Sequence, residues 1–451
     1  MSPAERPAPG VPRPYHFPAT YEHALANGLT VVTVPLHRLP AVSILYTADA
    51  GAERDTADGA GLAELVARSL TEGTQRRDAQ AVAVAAESRG GELLSGANWT
   101  HAECGTTVMR ERAADTMAMI AEVVREPRFP TDGVERLREE RLADLLQQRA
   151  EPRGLADDLF VEQCFAAGER YARPAGGSSA SVGQCSADEV RAFHRAHYVP
   201  RGSLLIVSGD IAPDAATKLA EEHFGGWEGA AGSAPLGRDV GARSGGMVAV
   251  GHRADAPQSE IRIGHASIPR THPDFHAVVV MNAILGGLFN SRINLNLREA
   301  HGYTYGAFSA FDWRRRGSVF EVSTAVKSDV TAPAVQEVLG EIRRIREEPV
   351  RADELSLATD YLTGVFPLRY ETTAAIADAI AFRVHYGHGP GYYDEYRARI
   401  AAVAIDDVLR VAQLHLDPAR MHVAVVGDAD VIAAPLAALG VGEVQRVELP
   451  A

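Results

Sequence analysis

Stretches that alternate in polarity and stretches with helical spacing follow one another twice along this chain. Residues 41–55, AVSILYTADAGAERD, read as a strand running into a turn, and residues 260–274, EIRIGHASIPRTHPD, have the same shape. An apolar helix follows each, GLAELVARSL in the first half and FHAVVVMNAIL in the second. Residues 103–129 and 319–350 then both predict an alternating strand, a polar turn and a helix with apolar positions three and four apart. Residues 189–210 and 407–428 close the series as helix, proline break, apolar strand and Gly-Asp. Four matches in one order mark an internal repeat.

Between the halves, residues 225–246 are rich in Gly, Ala and Ser and read as a flexible linker. The expected organisation is therefore a first domain over 1–224, the linker, and a second domain over 247–451. Each half interleaves strands and helices, and several strands alternate in polarity. The fold class expected is α+β: two homologous domains of sandwich type, each with helices covering one face of a mainly antiparallel sheet.

Composition narrows the function. A length of 451 residues with 46 % hydrophobic and 23 % charged residues suits about two soluble globular domains. No apolar run approaches the roughly 18 residues of a membrane span. The proline-rich start, MSPAERPAPGVPRPYHFP, lacks an apolar signal core and reads as a flexible lead-in. A formal net charge of −14 argues against a nucleic-acid or acidic-membrane partner. The three cysteines, Cys104, Cys164 and Cys185, form no Cys-x-x-Cys pair, so ordinary reduced thiols and a cytoplasmic location are expected.

The helix after the first turn reads GLAELVARSLTEGT, residues 61–74. Its frame resembles the pitrilysin/insulinase peptidases, most of all the mitochondrial-processing-peptidase type with two domains per chain. In active members this helix carries His-x-x-Glu-His, then Gly-Thr. Histidines four apart share one helix face and can bind zinc together, while the Glu is general base for the zinc-bound water. Here those positions are Glu64, Ala67 and Arg68, so no metal is expected in this chain. Arg68 sets a fixed positive charge where zinc would sit, and Glu64 can pair with it at i, i+4. The family's third ligand is a carboxylate on a later helix, for which Glu139, Glu140 and Asp144 are candidates; without the histidines these read as three solvated charges on a polar helix face. Residues 88–97, SRGGELLSGA, resemble the segment leading to the substrate-pairing edge strand, but Leu94-Ser95 replaces the usual Asn-Ala.

The second half contains LGGLFNSRINLNLREAHGYTYGAFS, residues 285–309, which resembles the family's C-terminal domain along its whole length. Arg298, Gly302 and Tyr305 reproduce the family's Arg, Gly and Tyr spacing. Gly302 can take the left-handed conformation that closes a helix, and Tyr303 and Tyr305 would then share one face of the following strand. By resemblance, the Arg holds a substrate carbonyl or orients the Tyr, and the Tyr hydroxyl donates to the oxyanion; Tyr303 and Gly302 are weaker substrate-binding candidates. Some bacterial members divide these duties between chains, and this sequence has the pattern of the non-zinc partner. The resemblance implies a heterodimer with a zinc-bearing paralogue, a peptide substrate, zinc in the partner only, and no activity alone. The alternative is a non-catalytic scaffold of the same fold. Neither a Ser-His-Asp nor a Cys-His arrangement supports an independent hydrolase. His194 and His197 read as a structural corner that His415 repeats, and His385 and His388 as packing in a glycine-rich loop.

Overall fold

A computed structural model describes residues 13–449 except 57, 230, 231, 233–235, 238 and 239. Among the described residues twelve strands form two sheets: β1 (Tyr21–Ala24), β2 (Thr30–Pro35), β3 (Ala41–Ala48), β4 (Leu94–Ala97), β5 (Ala102–Met109) and β6 (Leu204–Gly209), then β7 (Met247–His252), β8 (Gln258–Ser267), β9 (Ala307–Trp313), β10 (Ser318–Lys327), β11 (His422–Gly427) and β12 (Glu443–Val447). The first sheet has the order β1-β2-β6-β3-β5-β4 and the second β12-β7-β11-β8-β10-β9. Five strands correspond one to one, and the repeat segments read from sequence supply the matching pairs β3 and β8, β5 and β10, β6 and β11. The sixth differs, because β1 runs antiparallel to β2 whereas β12 runs parallel to β7. Both sheets are mainly antiparallel, as expected; among the described residues the parallel pairs are β2–β6, β7–β11 and β7–β12. The Gly-Asp ending has a steric cause at Gly209: its φ is +143°, and a Cβ there would lie 2.1 Å from the Ala41 carbonyl oxygen.

Helices cover both faces of each sheet, not one. The inner face packs on helices of its own half and forms the two main cores. The outer face is covered by a helix from the other half. Helix Pro152–Cys164 sets Leu155, Leu159 and Phe160 against Ala249, Ala266, Ala424 and Val426 of the second sheet. Reciprocally, helix Thr373–His385 sets Ile376, Ala377 and Ile380 against Val32, Val34, Leu45 and Ile206 of the first. The sequence pattern marks these helices as apolar but does not say which sheet they serve. His385 accordingly lies in the last turn of its helix, not in the glycine loop. Its Nε2 is 2.8 Å from Thr47 Oγ1 across the halves.

Polar contacts fix the exchange. Arg262, only 1 % exposed, reaches Asp157 on the exchanged helix at 2.5 Å, along with Glu260 at 3.0 Å and Glu321 at 3.3 Å. Arg315 bridges Asp49 and Glu53 of the first half. The lead-in also crosses over: Phe17 stacks on Tyr393 at 4.5 Å, and its N–H donates to Asp394. It is thus docked from Tyr15 onward, while residues 1–12 lie outside the described residues. So does part of the proposed linker. Its described parts are tied down, with Trp227 buried in the first core and Ala242 bridged to Phe165.

Residues 275–300 are long and apolar enough by composition to cross a membrane, contrary to the expectation from sequence. Within the fold, 61 % of the most apolar window is buried, which is the behaviour of a core helix. Cys104, Cys164 and Cys185 are buried free thiols, and burial pushes Cys104 up to about 12 and Cys185 to about 11.

Two outcomes follow from this packing. The Phe160 ring rests against Gly264 of β8, so Phe160→Ala should cost about 3–5 kcal/mol in chemical denaturation, and both halves should unfold in one transition. Burial pushes His194 down to about 4. The unfolded chain therefore takes up this proton first, and the stability from neutral His194, full above about pH 6.5, is lost as pH falls through 4. Half-buried Glu321, raised to about 7, titrates in the opposite sense. Comparing wild type with His194→Gln between pH 7 and 4 isolates the histidine: the stability difference should shift by up to about 3 kcal/mol in favour of the variant at the acid end.

Candidate functional site

The first-half site is built on helix Leu62–Ser69. Gly61, with φ +98°, brings the chain into the helix, and the buried Asp55 carboxylate accepts from the N–H groups of Gly61 and Ala63, both at 2.8 Å. Arg170 pairs with Asp55 at 3.1 Å. Burial pushes Asp55 up to about 6 against the pull of Arg170, so it is ionised at neutral pH. This anchor fixes where the next turn points.

On that turn Glu64 and Arg68 pair at 2.8 Å, and Arg68 Nη1 lies 3.4 Å from Asp144 Oδ2. Of the three carboxylates proposed from sequence, Asp144 is the one that faces the site. Glu139 and Glu140 instead pair with Arg138 and Arg136 on their own helix. Burial opposes the charge on Arg68, but Glu64 and then Asp144 outweigh it and raise its pKa. The guanidinium is a permanent cation. Ala67 is 0 % exposed and belongs to the core. With two carboxylates committed to an arginine and no imidazole present, the residues do not fit zinc.

Glu64 has a second task. Its Oε2 accepts at 3.1 Å from the N–H of Ala97 on β4, the unpaired edge of the first sheet. Ser95 Oγ donates at 2.8 Å to the Ala67 carbonyl. The helix therefore occupies the Ala97 N–H, a backbone donor that an added strand would use. Sequence flagged Leu94-Ser95 as a departure; the part played by Ser95 and Glu64 needed three dimensions.

The second-half residues sit before β9, the corresponding edge strand. Arg298 lies in a wide turn over Leu295–Ala300, its guanidinium 4.6 Å over the Phe289 ring and 3.6 Å from Glu299. Gly302 takes φ +66°, as expected of a helix-closing glycine, and its N–H donates to the Arg298 carbonyl at 3.2 Å. Residues 303–306 are not strand, contrary to expectation, because Thr304 turns back on itself. Its Oγ1 donates to the Gly306 carbonyl at 2.9 Å and accepts from the Gly306 N–H at 3.1 Å. The two tyrosines therefore part company. Tyr303 packs against the second core and stacks on His301 at 5.0 Å, whereas Tyr305 is 97 % exposed. Asn294, accepting from the Ala307 N–H at 3.0 Å, pins the far end of the loop. Tyr305 is thus a phenol on a fastened backbone and forms no part of a core.

The histidines do not converge on a metal at the sequence-marked corner. His194 donates to the Val124 carbonyl at 2.8 Å and stacks on Tyr198. His415, in the repeat, gathers with His272 and Asp274, but Asp274 already answers His415 at 2.8 Å and Arg410 at 2.9 Å.

Known proteins agree with this two-part organisation. The family model described as insulinase (peptidase family M16) matches residues 30–173, and that described as peptidase M16 inactive domain matches residues 184–362. An uncharacterized zinc protease of Mycobacterium leprae is 25 % identical over 414 residues, spanning 89 % of this chain and 90 % of its own length. The probable mitochondrial-processing peptidase subunit beta of Schizosaccharomyces pombe is 24 % identical over 275 residues, 60 % of this chain and 59 % of its own. The fold is shared with a peptidase M16 inactive domain from Pseudomonas fluorescens, at TM-score 0.84 and 22 % identity over 91 % of this chain and 98 % of that one. It is shared too with a Helicobacter pylori protease, at TM-score 0.85 and 17 % identity over 91 % and 100 %.

The ion set yields a test. The double variant Glu64→His, Arg68→His should acquire stoichiometric zinc, with Asp144 as third ligand, where wild type binds none. Adding Asp144→Ala should abolish it, read by metal analysis on folded protein.

Proposed function

Because this chain belongs to the insulinase (peptidase M16) family, we propose that it is the non-zinc subunit of a heterodimeric zinc peptidase. It supplies Arg298 and Tyr305 to the zinc site of a paralogous partner and works in the cytoplasm. The observation that carries this reading is the asymmetry between the halves. Glu64, Arg68 and Asp144 close the first site with their own ion pairs, while Tyr305 stands 97 % exposed on a fastened loop.

Full exposure of an aromatic ring at the end of a pinned backbone suits a side chain whose contacts come from outside the chain. In the assembled enzyme the partner's zinc would supply the hydrolytic chemistry, and the Tyr305 hydroxyl would donate to the oxyanion that develops on the scissile amide. Arg298, held over Phe289, binds a substrate carbonyl, and Tyr303 and Gly302 set the loop that presents Tyr305. The clamp of Glu64 on Ala97 leaves pairing with the peptide strand to the partner's edge strand.

The purified chain should contain no stoichiometric zinc and should cleave no peptide alone, and activity should appear on mixing with the partner. Tyr305→Phe should lower the turnover of that mixture by about 10²-fold or more without weakening assembly. Undiminished turnover would remove Tyr305 from the mechanism. Assembly without any peptidase activity would make the chain a scaffold.

A further inference from the structure

Away from both sites, a cavity of about 370 Å³ opens between the start of helix Phe275–Asn282, the loop of residues 387–391 and the start of helix Tyr392–Ala401. Arg270 dominates it. The guanidinium is held between two rings, 4.1 Å over Phe275 and 4.5 Å over Phe382, and its Nη2 donates to the Tyr392 hydroxyl at 2.9 Å.

What Arg270 lacks is a counter-charge. Among the described residues no carboxylate lies within ion-pair reach of it, and its Nε is buried without a hydrogen-bond partner. The one carboxylate on the cavity wall, Glu395, is taken by Arg399 at 2.5 Å. Asp274, near in sequence, is taken by Arg410 and His415. Beside the cavity, His276 and His388 each bury an Nε2 that has no hydrogen-bond partner. Burial, with Arg270 and for His276 also Arg399 adding to it, pushes both imidazoles down to about 4. Two helices also begin at the wall, which adds positive potential. A half-buried cation held rigid and left unpaired is costly unless something outside the chain pairs with it.

We propose that this cavity binds a small oxyanion, a phosphate or carboxylate group, with Arg270 and Arg399 as its cationic contacts. Two sources carry that chemistry: inorganic or esterified phosphate, and the terminal carboxylate of a peptide. The segments that form the cavity carry neither Arg298 nor Tyr305, so the proposal stands whether or not the chain pairs with a zinc subunit.

The test is calorimetric titration of the full chain at constant ionic strength. The probes are inorganic phosphate and an acetylated dipeptide with either a free or an amidated C-terminus. Saturable binding of phosphate supports a phosphate source; binding of the free-acid dipeptide but not the amide supports a peptide carboxylate. Either affinity should fall about tenfold or more in Arg399→Ala, an exposed position where folding is not at stake. The NMR titrations of His276 and His388 should move to higher pH when the site is filled. Binding of neither probe beyond a chloride control overturns the proposal. So does binding that Arg399→Ala leaves unchanged and that does not move the two histidines.

Discussion

Everything in this molecule rests on the reciprocal exchange of two helices. Each sheet has an outer face of Val, Ile, Leu and Ala that its own half leaves bare, and a helix from the other half covers it. Apolar burial supplies the drive. The Arg262 ion cluster and the Thr47–His385 contact supply the register. Two modules joined only by a tether would be free to move relative to each other. Two modules that each complete the other's sandwich hold their edge strands at a fixed relation.

That relation matters because the two candidate sites lie beside corresponding edge strands, one on the helix tied to β4 and one in the loop just before β9. The two edges have been given opposite finishes. At β4 a carboxylate ties the helix to the strand edge, and the polar groups satisfy each other. Before β9 a turn held by Thr304 and Asn294 turns a tyrosine outward and leaves its hydroxyl free for another molecule. The first edge is satisfied within the chain, and the second presents a polar group that is not.

The repeat, the fold class and both motif segments could be read from the sequence because they depend on local periodicity and spacing. So could the Glu64–Arg68 pair, since i, i+4 neighbours on a helix must meet. Where a helix docks is a different matter. Helices Pro152–Cys164 and Thr373–His385 look like any amphipathic segment, and nothing local says which sheet they cover. Choosing Asp144 over Glu139 and Glu140 likewise needed the angle between two helices. The return turn at Thr304 hid because a Tyr-Thr-Tyr run alternates like a strand, and only the side-chain hydrogen bond to Gly306 bends it. Arg270 gave no signal at all, for an arginine without a counter-ion is defined by what does not surround it.

The swapped covering helices also bear on descent. A single repeat standing alone would present one naked sheet face, and the natural cover for it is the equivalent helix of an identical copy offered in return. Two such copies form a domain-swapped homodimer about a twofold axis. Joining them end to end makes the swap permanent and frees the two copies to diverge.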